Sequence, residues 1–71
     1  MISIGMRVKT VRPQIESKDW TWVNKKARRW GVTGTVVQRS DAHGECFRVY
    51  HDDPEGPDSA WYETRELTEI D

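Results

Sequence analysis

The 71-residue chain has one cysteine, Cys46. A lone thiol excludes an intrachain disulfide, and no Cys-x-x-Cys spacing offers a zinc staple in its place. Long apolar runs are also missing: no stretch approaches the ~18 residues that a spanning helix needs. Met1-Ile2-Ser3-Ile4-Gly5 has neither the basic leader nor the apolar core of a secretory signal. These absences lead to the expectation of a cytoplasmic protein with no membrane partner. Acidic residues are scarce in the first forty positions, with two Asp/Glu against nine Lys/Arg, and abundant afterwards, with ten against two. The net charge of −1 therefore hides two oppositely charged halves. Two readings stay open. One half presents a cationic face to an acidic partner, or the fold interleaves the halves so that the charges pair.

Seventy-one residues make a single domain, 1–71. A chain this short buries only about 60% of its unfolded surface, so large side chains must supply the core. Four Trp, two Tyr and one Phe are available, each able to bury roughly 150–250 Å².

The ordering stretch is Gly31-Val32-Thr33-Gly34-Thr35-Val36-Val37-Gln38, two glycines three apart leading into a β-branched run. It reads as a tight turn feeding a strand over Thr33 to Arg39. Gly5 to Val11 alternates: Met6, Val8 and Thr10 face the core, and Arg7, Lys9 and Val11 face away. Arg12-Pro13 ends that first strand, since proline cannot donate to a ladder. Glu45 to His51 is a third strand with Phe47 and Val49 inward and Cys46, Arg48 and Tyr50 outward. Asp52 to Asp58 is an acidic Pro-Gly loop, and Ser59 to Glu63 is a fourth strand. Alternation within it puts Trp61 and Tyr62 on opposite faces, with Trp61 on the exposed side. Thr64 to Glu66 is a tight turn, and Leu67 to Ile70 a short closing strand.

Residues 13–30 form a long first connection. Trp22, Lys26 and Trp30 recur every four residues, Ser17 or Asp19 is a possible cap, and Gly31 is placed to close a helix. An ordered loop fits the same letters, so this segment is left as loop or short helical turn. Five short strands with such a connection describe an all-β, five-stranded closed barrel, an architecture that removes exposed edges.

The residues Gly5-Met6-Arg7-Val8, Asp19-Trp20-Thr21-Trp22, Gly34-Thr35-Val36-Val37, Phe47-Arg48-Val49-Tyr50 and Trp61-Tyr62 carry a resemblance to SH3-like small β-barrels of the KOW and Mind-bomb/HERC type. The Asp-Trp-x-Trp piece is the most specific. The loop from Asp52 to Asp58 and the strand opening Ser59-Ala60-Trp61 depart from that family's turn and Tyr-Arg start. The resemblance implies a non-catalytic binding domain. Its Mind-bomb/HERC relatives bind peptides or protein tails, and its KOW relatives bind RNA, ribosomes or polymerase.

Lys25, Lys26, Arg28 and Arg29, with Trp22 nearby, form the leading candidate site. Nucleic-acid binding needs cations for phosphates and flat rings for bases. The bland alternative is that Trp20, Trp22 and Trp30 fill the core and the cations are solvated. The second candidate is a protein-binding groove of Trp22, Tyr50 and Trp61, with Tyr62 nearby, beside the acidic rim Asp52, Asp53, Glu55 and Asp58. It suits a basic or proline-rich segment. His43, Cys46, His51, Asp52 and Asp53 are the residue types of a nucleophilic or metal site. However, Cys46 and His51 are odd-spaced on one strand and point to opposite faces. No enzyme, cofactor or metal is therefore expected, and the oligomeric state is left open.

Overall fold

The computed structural model describes residues 2–14, 25–42 and 44–70. Five strands follow in chain order: β1 (Arg7–Thr10), β2 (Thr33–Ser40), β3 (Cys46–His51), β4 (Ser59–Glu63) and β5 (Leu67–Glu69). They form one antiparallel sheet in the order β4-β3-β2-β1-β5. Two 3₁₀ turns, Lys25–Ala27 and Thr64–Glu66, are the other elements among the described residues. The strand ends differ from the alternation reading by a residue or two, as frayed ends do.

One face of the sheet holds the core. Val8, Val36, Phe47, Val49, Ala60, Tyr62 and Leu67 are buried together, with Ile2, Met6, Ala27 and Trp30 packed against them. The alternation in β1 holds: Val8 and Thr10 are buried while Lys9 is exposed. It fails at the start of β3, where Cys46 and Phe47 are both fully buried. Cys46 was expected outside with Arg48 and Tyr50. It pairs with Ser40 and Glu63, and Glu63 is buried too, so chain covers both sides of the sheet at that end. Among the described residues, the fully buried large rings of the core are Phe47 and Tyr62. Trp30 is half-buried and stands edge-on to Tyr62, ring centroids 5.5 Å apart. Trp20 and Trp22 lie outside the described residues.

The first connection differs from a helix closed by Gly31. Helical geometry in its described part ends at Ala27, so Trp30 does not share a helix face with Lys26. Gly31 has φ +73°, and its N–H donates to the Thr10 carbonyl at 2.8 Å. That glycine steers the chain into β2 alongside β1. Gly34 is required for a different reason. A Cβ there would lie 2.4 Å from the Tyr50 carbonyl oxygen and 2.6 Å from a Val49 methyl, so only a bare Cα lets β2 approach β3 this closely. Between Val36 and Gln38 the β2–β3 register shifts by one, with Val37 as the extra residue.

β4 is an end strand of the sheet, and a side-chain pair covers its outer edge. His51 N–H donates to the Asp58 carbonyl, so ladder alternation turns the Trp61 and Glu63 backbone groups away from β3. Arg28 Nε donates to the Trp61 carbonyl at 3.0 Å, and Glu63 N–H donates to Glu66 Oε1 at 2.8 Å. Arg28 and Glu66 form an ion pair with each other, both side chains almost wholly buried. Together they do at this edge what a sixth strand would do.

Candidate functional site

The structure divides the candidate basic loop. Arg28, expected outside, is 7% exposed: its guanidinium is held by Glu66 and stacks 4.7 Å from the Trp30 ring centroid and 5.3 Å from that of Tyr62. The physical reason is the β4 edge, whose carbonyl needs a donor. Arg28 is thus a structural residue. Arg29 is partly covered, paired with Asp53 at 2.6 Å and donating to the Glu55 carbonyl at 2.6 Å. Lys26 is exposed. Trp22 and the Lys25 side chain lie outside the described residues.

The acidic loop is correspondingly engaged. Asp52 receives Arg7 through both carboxylate oxygens and the Thr33 hydroxyl at 2.7 Å. The Arg7 hydrogen bonds hold the Asp52 carboxyl down at about 2. The Asp53 carboxyl is also lowered, first by the Glu55 N–H at 2.9 Å and then by Arg29. At the β2–β3 turn Arg39 binds Asp41 and Glu45, each at 2.8 Å, and lowers the Glu45 carboxyl. Arg7–Asp52, Arg28–Glu66, Arg29–Asp53, Arg39–Asp41 and Arg39–Glu45 each join a cation of the first forty residues to an acid of the rest. In these pairs the two charged halves of the sequence interleave.

The loop is also tied from below. Tyr62 Oη accepts the Arg29 N–H at 2.7 Å, donates to the Arg29 carbonyl at 2.9 Å and lies 2.8 Å from His51 Nε2. His51 Nδ1 lies 3.0 Å from the Pro57 carbonyl. Burial pushes the Tyr62 phenol up to about 12. Both His51 ring nitrogens are therefore committed to structure, and His51 and Cys46 are both buried. His43 lies outside the described residues.

What the structure brings together is the solvent face of the sheet. Directly opposed residues share a face, so the register writes rows across the strands. One row runs Arg7, Thr35, Tyr50, Ser59 through β1 to β4. With strands about 4.8 Å apart it spans about 14 Å. The next row holds Gln38, Arg48 and Trp61. On the other side Lys9 lies opposite Thr33 and Thr68. Tyr50 is 53% exposed, and Trp61 is half-buried. Arg48 Nε donates to Ser59 Oγ at 2.9 Å, tying its side chain to the residue opposite Tyr50. Among the described residues, neither Arg48 nor Lys9 has an ion-pair partner. Arg7 is neutralised by Asp52.

Sequence reading put Arg7, Lys9, Arg48 and Tyr50 on outward positions one strand at a time. It missed that they share one surface with Trp61, because the signal lies in the pairing register, which no single strand carries. Of the protein-binding candidates, Tyr50 and Trp61 are diagonal neighbours on this face. No helix among the described residues is long and apolar enough to cross a membrane. The chain matches no protein-family model, no curated protein and no solved structure.

Proposed function

We propose that the protein is a non-catalytic, SH3-like binding module that docks onto nucleic acid or a nucleoprotein with the solvent face of its sheet. The observation that carries this is the chemistry of that face. Tyr50 and Trp61 neighbour Arg48 in the register, Lys9 has no acidic partner among the described residues, and the rows between them hold threonine, serine, glutamine and the Arg7–Asp52 pair. Asp52, beside Thr33 on this face, is held by Arg7, and Asp53 and Glu45 are likewise held by arginines. The barrel part of the proposal rests on strand order: a four-strand meander returns to place β5 beside β1 after a one-turn link. The basic loop contributes less than its sequence promised, because Arg28 and Arg29 are spent inside the molecule.

The test is titration with labelled oligonucleotides at 50 mM salt, comparing two double variants. Lys9→Glu with Arg48→Glu abolishes binding, and Lys25→Glu with Lys26→Glu leaves most of it. Absence of binding by the parent protein at 50 mM salt removes the proposal. A protein or peptide partner is the second reading, favoured by the exposure of Tyr50 and of Val37. Recovery of a partner protein that is lost with Trp61→Ala, with no oligonucleotide bound, decides for it.

A further inference from the structure

We infer that the ligand of this face is single-stranded nucleic acid, held by two bases stacked on Tyr50 and Trp61 with phosphates on Arg48 and Lys9. The inference rests on the nucleic-acid reading and narrows it to a strand form and a contact mode.

The geometry of the two rings carries it. Trp61 is directly opposite Arg48, and Tyr50 is two residues further along the same strand as Arg48. The rings are therefore diagonal cross-strand neighbours on one face, with anchor points about 7–8 Å apart. That separation suits two successive bases of an unstacked strand. A duplex keeps its bases paired and stacked inside, so it would meet this face only through the cations. Aromatic rings on a sheet gain from a nucleic acid only when the base faces are available.

Charge complementarity points to the same ligand. Arg48 is exposed, and its Nε donates to Ser59 Oγ at 2.9 Å. Lys9 lies two positions beyond Arg7 along β1. Arg7 is occupied, since Asp52 and Thr35 hold its guanidinium. Two available cations therefore correspond to about two phosphates. For a single strand that gives a log–log salt slope of about −1.4, or roughly sevenfold weaker binding at 200 mM than at 50 mM salt. A four-phosphate duplex contact through the basic loop would instead give a slope of about −3.6.

The experiment is fluorescence anisotropy with a fluorescein-labelled 12-nucleotide single strand and the matching duplex, at 50, 100 and 200 mM salt. The proteins are the parent, Tyr50→Ala and Tyr50→Phe. The single strand binds at least tenfold more tightly than the duplex, with the shallow slope above. Tyr50→Ala weakens single-strand binding by roughly 5- to 150-fold, the range for one stacked base. Tyr50→Phe keeps parental affinity, because the ring stacks and the hydroxyl does not. Equal binding of strand and duplex, with Tyr50→Ala unchanged, overturns this inference and leaves nucleic-acid docking standing. Binding of neither oligonucleotide at 50 mM salt overturns both, and so does a peptide ligand whose affinity depends on Tyr50 in the absence of oligonucleotide binding.

Discussion

Tyr62 joins three parts of the chain through one hydroxyl: the Arg29 backbone, His51 on β3 and, through His51, the Pro57 carbonyl. Removing that oxygen leaves buried polar groups without a partner, which costs about 1–3 kcal/mol for each group left unsatisfied. Tyr62→Phe is therefore expected to lower stability by at least the about 1–3 kcal/mol of one such group, read as a reduced urea midpoint at unchanged slope. The same phenol makes an alkaline prediction. Its folded value is raised above that of the unfolded chain, so its contribution is complete below about pH 10. It is lost as pH rises toward about 12. Tyrosinate absorbance and unfolding followed together across that window check it, and Tyr62→Phe removes this part of the alkaline loss.

At the scale of elements, the buried Arg28–Glu66 pair deserves to be separated into its two roles. As an ion pair it predicts that either single change, Arg28→Met or Glu66→Gln, destabilises strongly, by about 3–5 kcal/mol where a buried charge is left alone. A pair acting only through its charges could be replaced by two apolar residues at little cost. Here each partner also holds a backbone group at the β4 edge, Trp61 C=O or Glu63 N–H. The double variant Arg28→Met with Glu66→Leu is thus expected to remain about 1–3 kcal/mol per orphaned group below the parent. It is also expected to self-associate through the opened edge. Denaturant unfolding with sedimentation at two concentrations reads both effects, and a monomeric double variant of parental stability would show that the edge role is absent.

These elements also show what a sequence can and cannot carry. Period-two alternation marked the first and third strands, and a glycine turn with a β-branched run marked the second, because Val8, Val36, Val49 and Tyr62 must reach one core. It put Trp61 outside and Tyr62 inside for the same reason. Alternation could not reveal that Arg28 is internal, because a cation in a Lys-Arg run looks solvated until a strand edge thirty-three residues later needs its Nε. The burial of Cys46 was illegible likewise, since alternation put it with the exposed Arg48 and Tyr50. The proposed binding face was half legible: its residues were visible as outward positions, and their assembly required the register.

For the whole molecule, part of the charge polarisation of the sequence is used in holding the fold together: Arg7, Arg28, Arg29 and Arg39 pair with acids of the second half. The carboxyls of Asp52, Asp53 and Glu45 are each held below their ordinary range, chiefly by hydrogen bonds from arginine or backbone N–H. Lowered folded-state values mean that the stabilisation is present above the unfolded values, near pH 4, and is lost as pH falls toward about 2. Thermal midpoints are expected to fall steeply from pH 4 to pH 2. High salt is expected to lower the midpoint at pH 7 only modestly, because exposed pairs are screened while Arg28–Glu66 is buried.

Which surface is left for a partner follows from this internal use of charge, and chemical-shift mapping tests it most directly. A ¹⁵N-labelled sample titrated with a single-stranded oligonucleotide at 50 mM salt is predicted to shift the amides of Lys9, Thr35, Arg48, Tyr50 and Trp61, together with the Trp61 indole N–H. The amides of residues 25–30 are predicted to stay in place. Shifts confined to residues 25–30, with the sheet face silent, would contradict it.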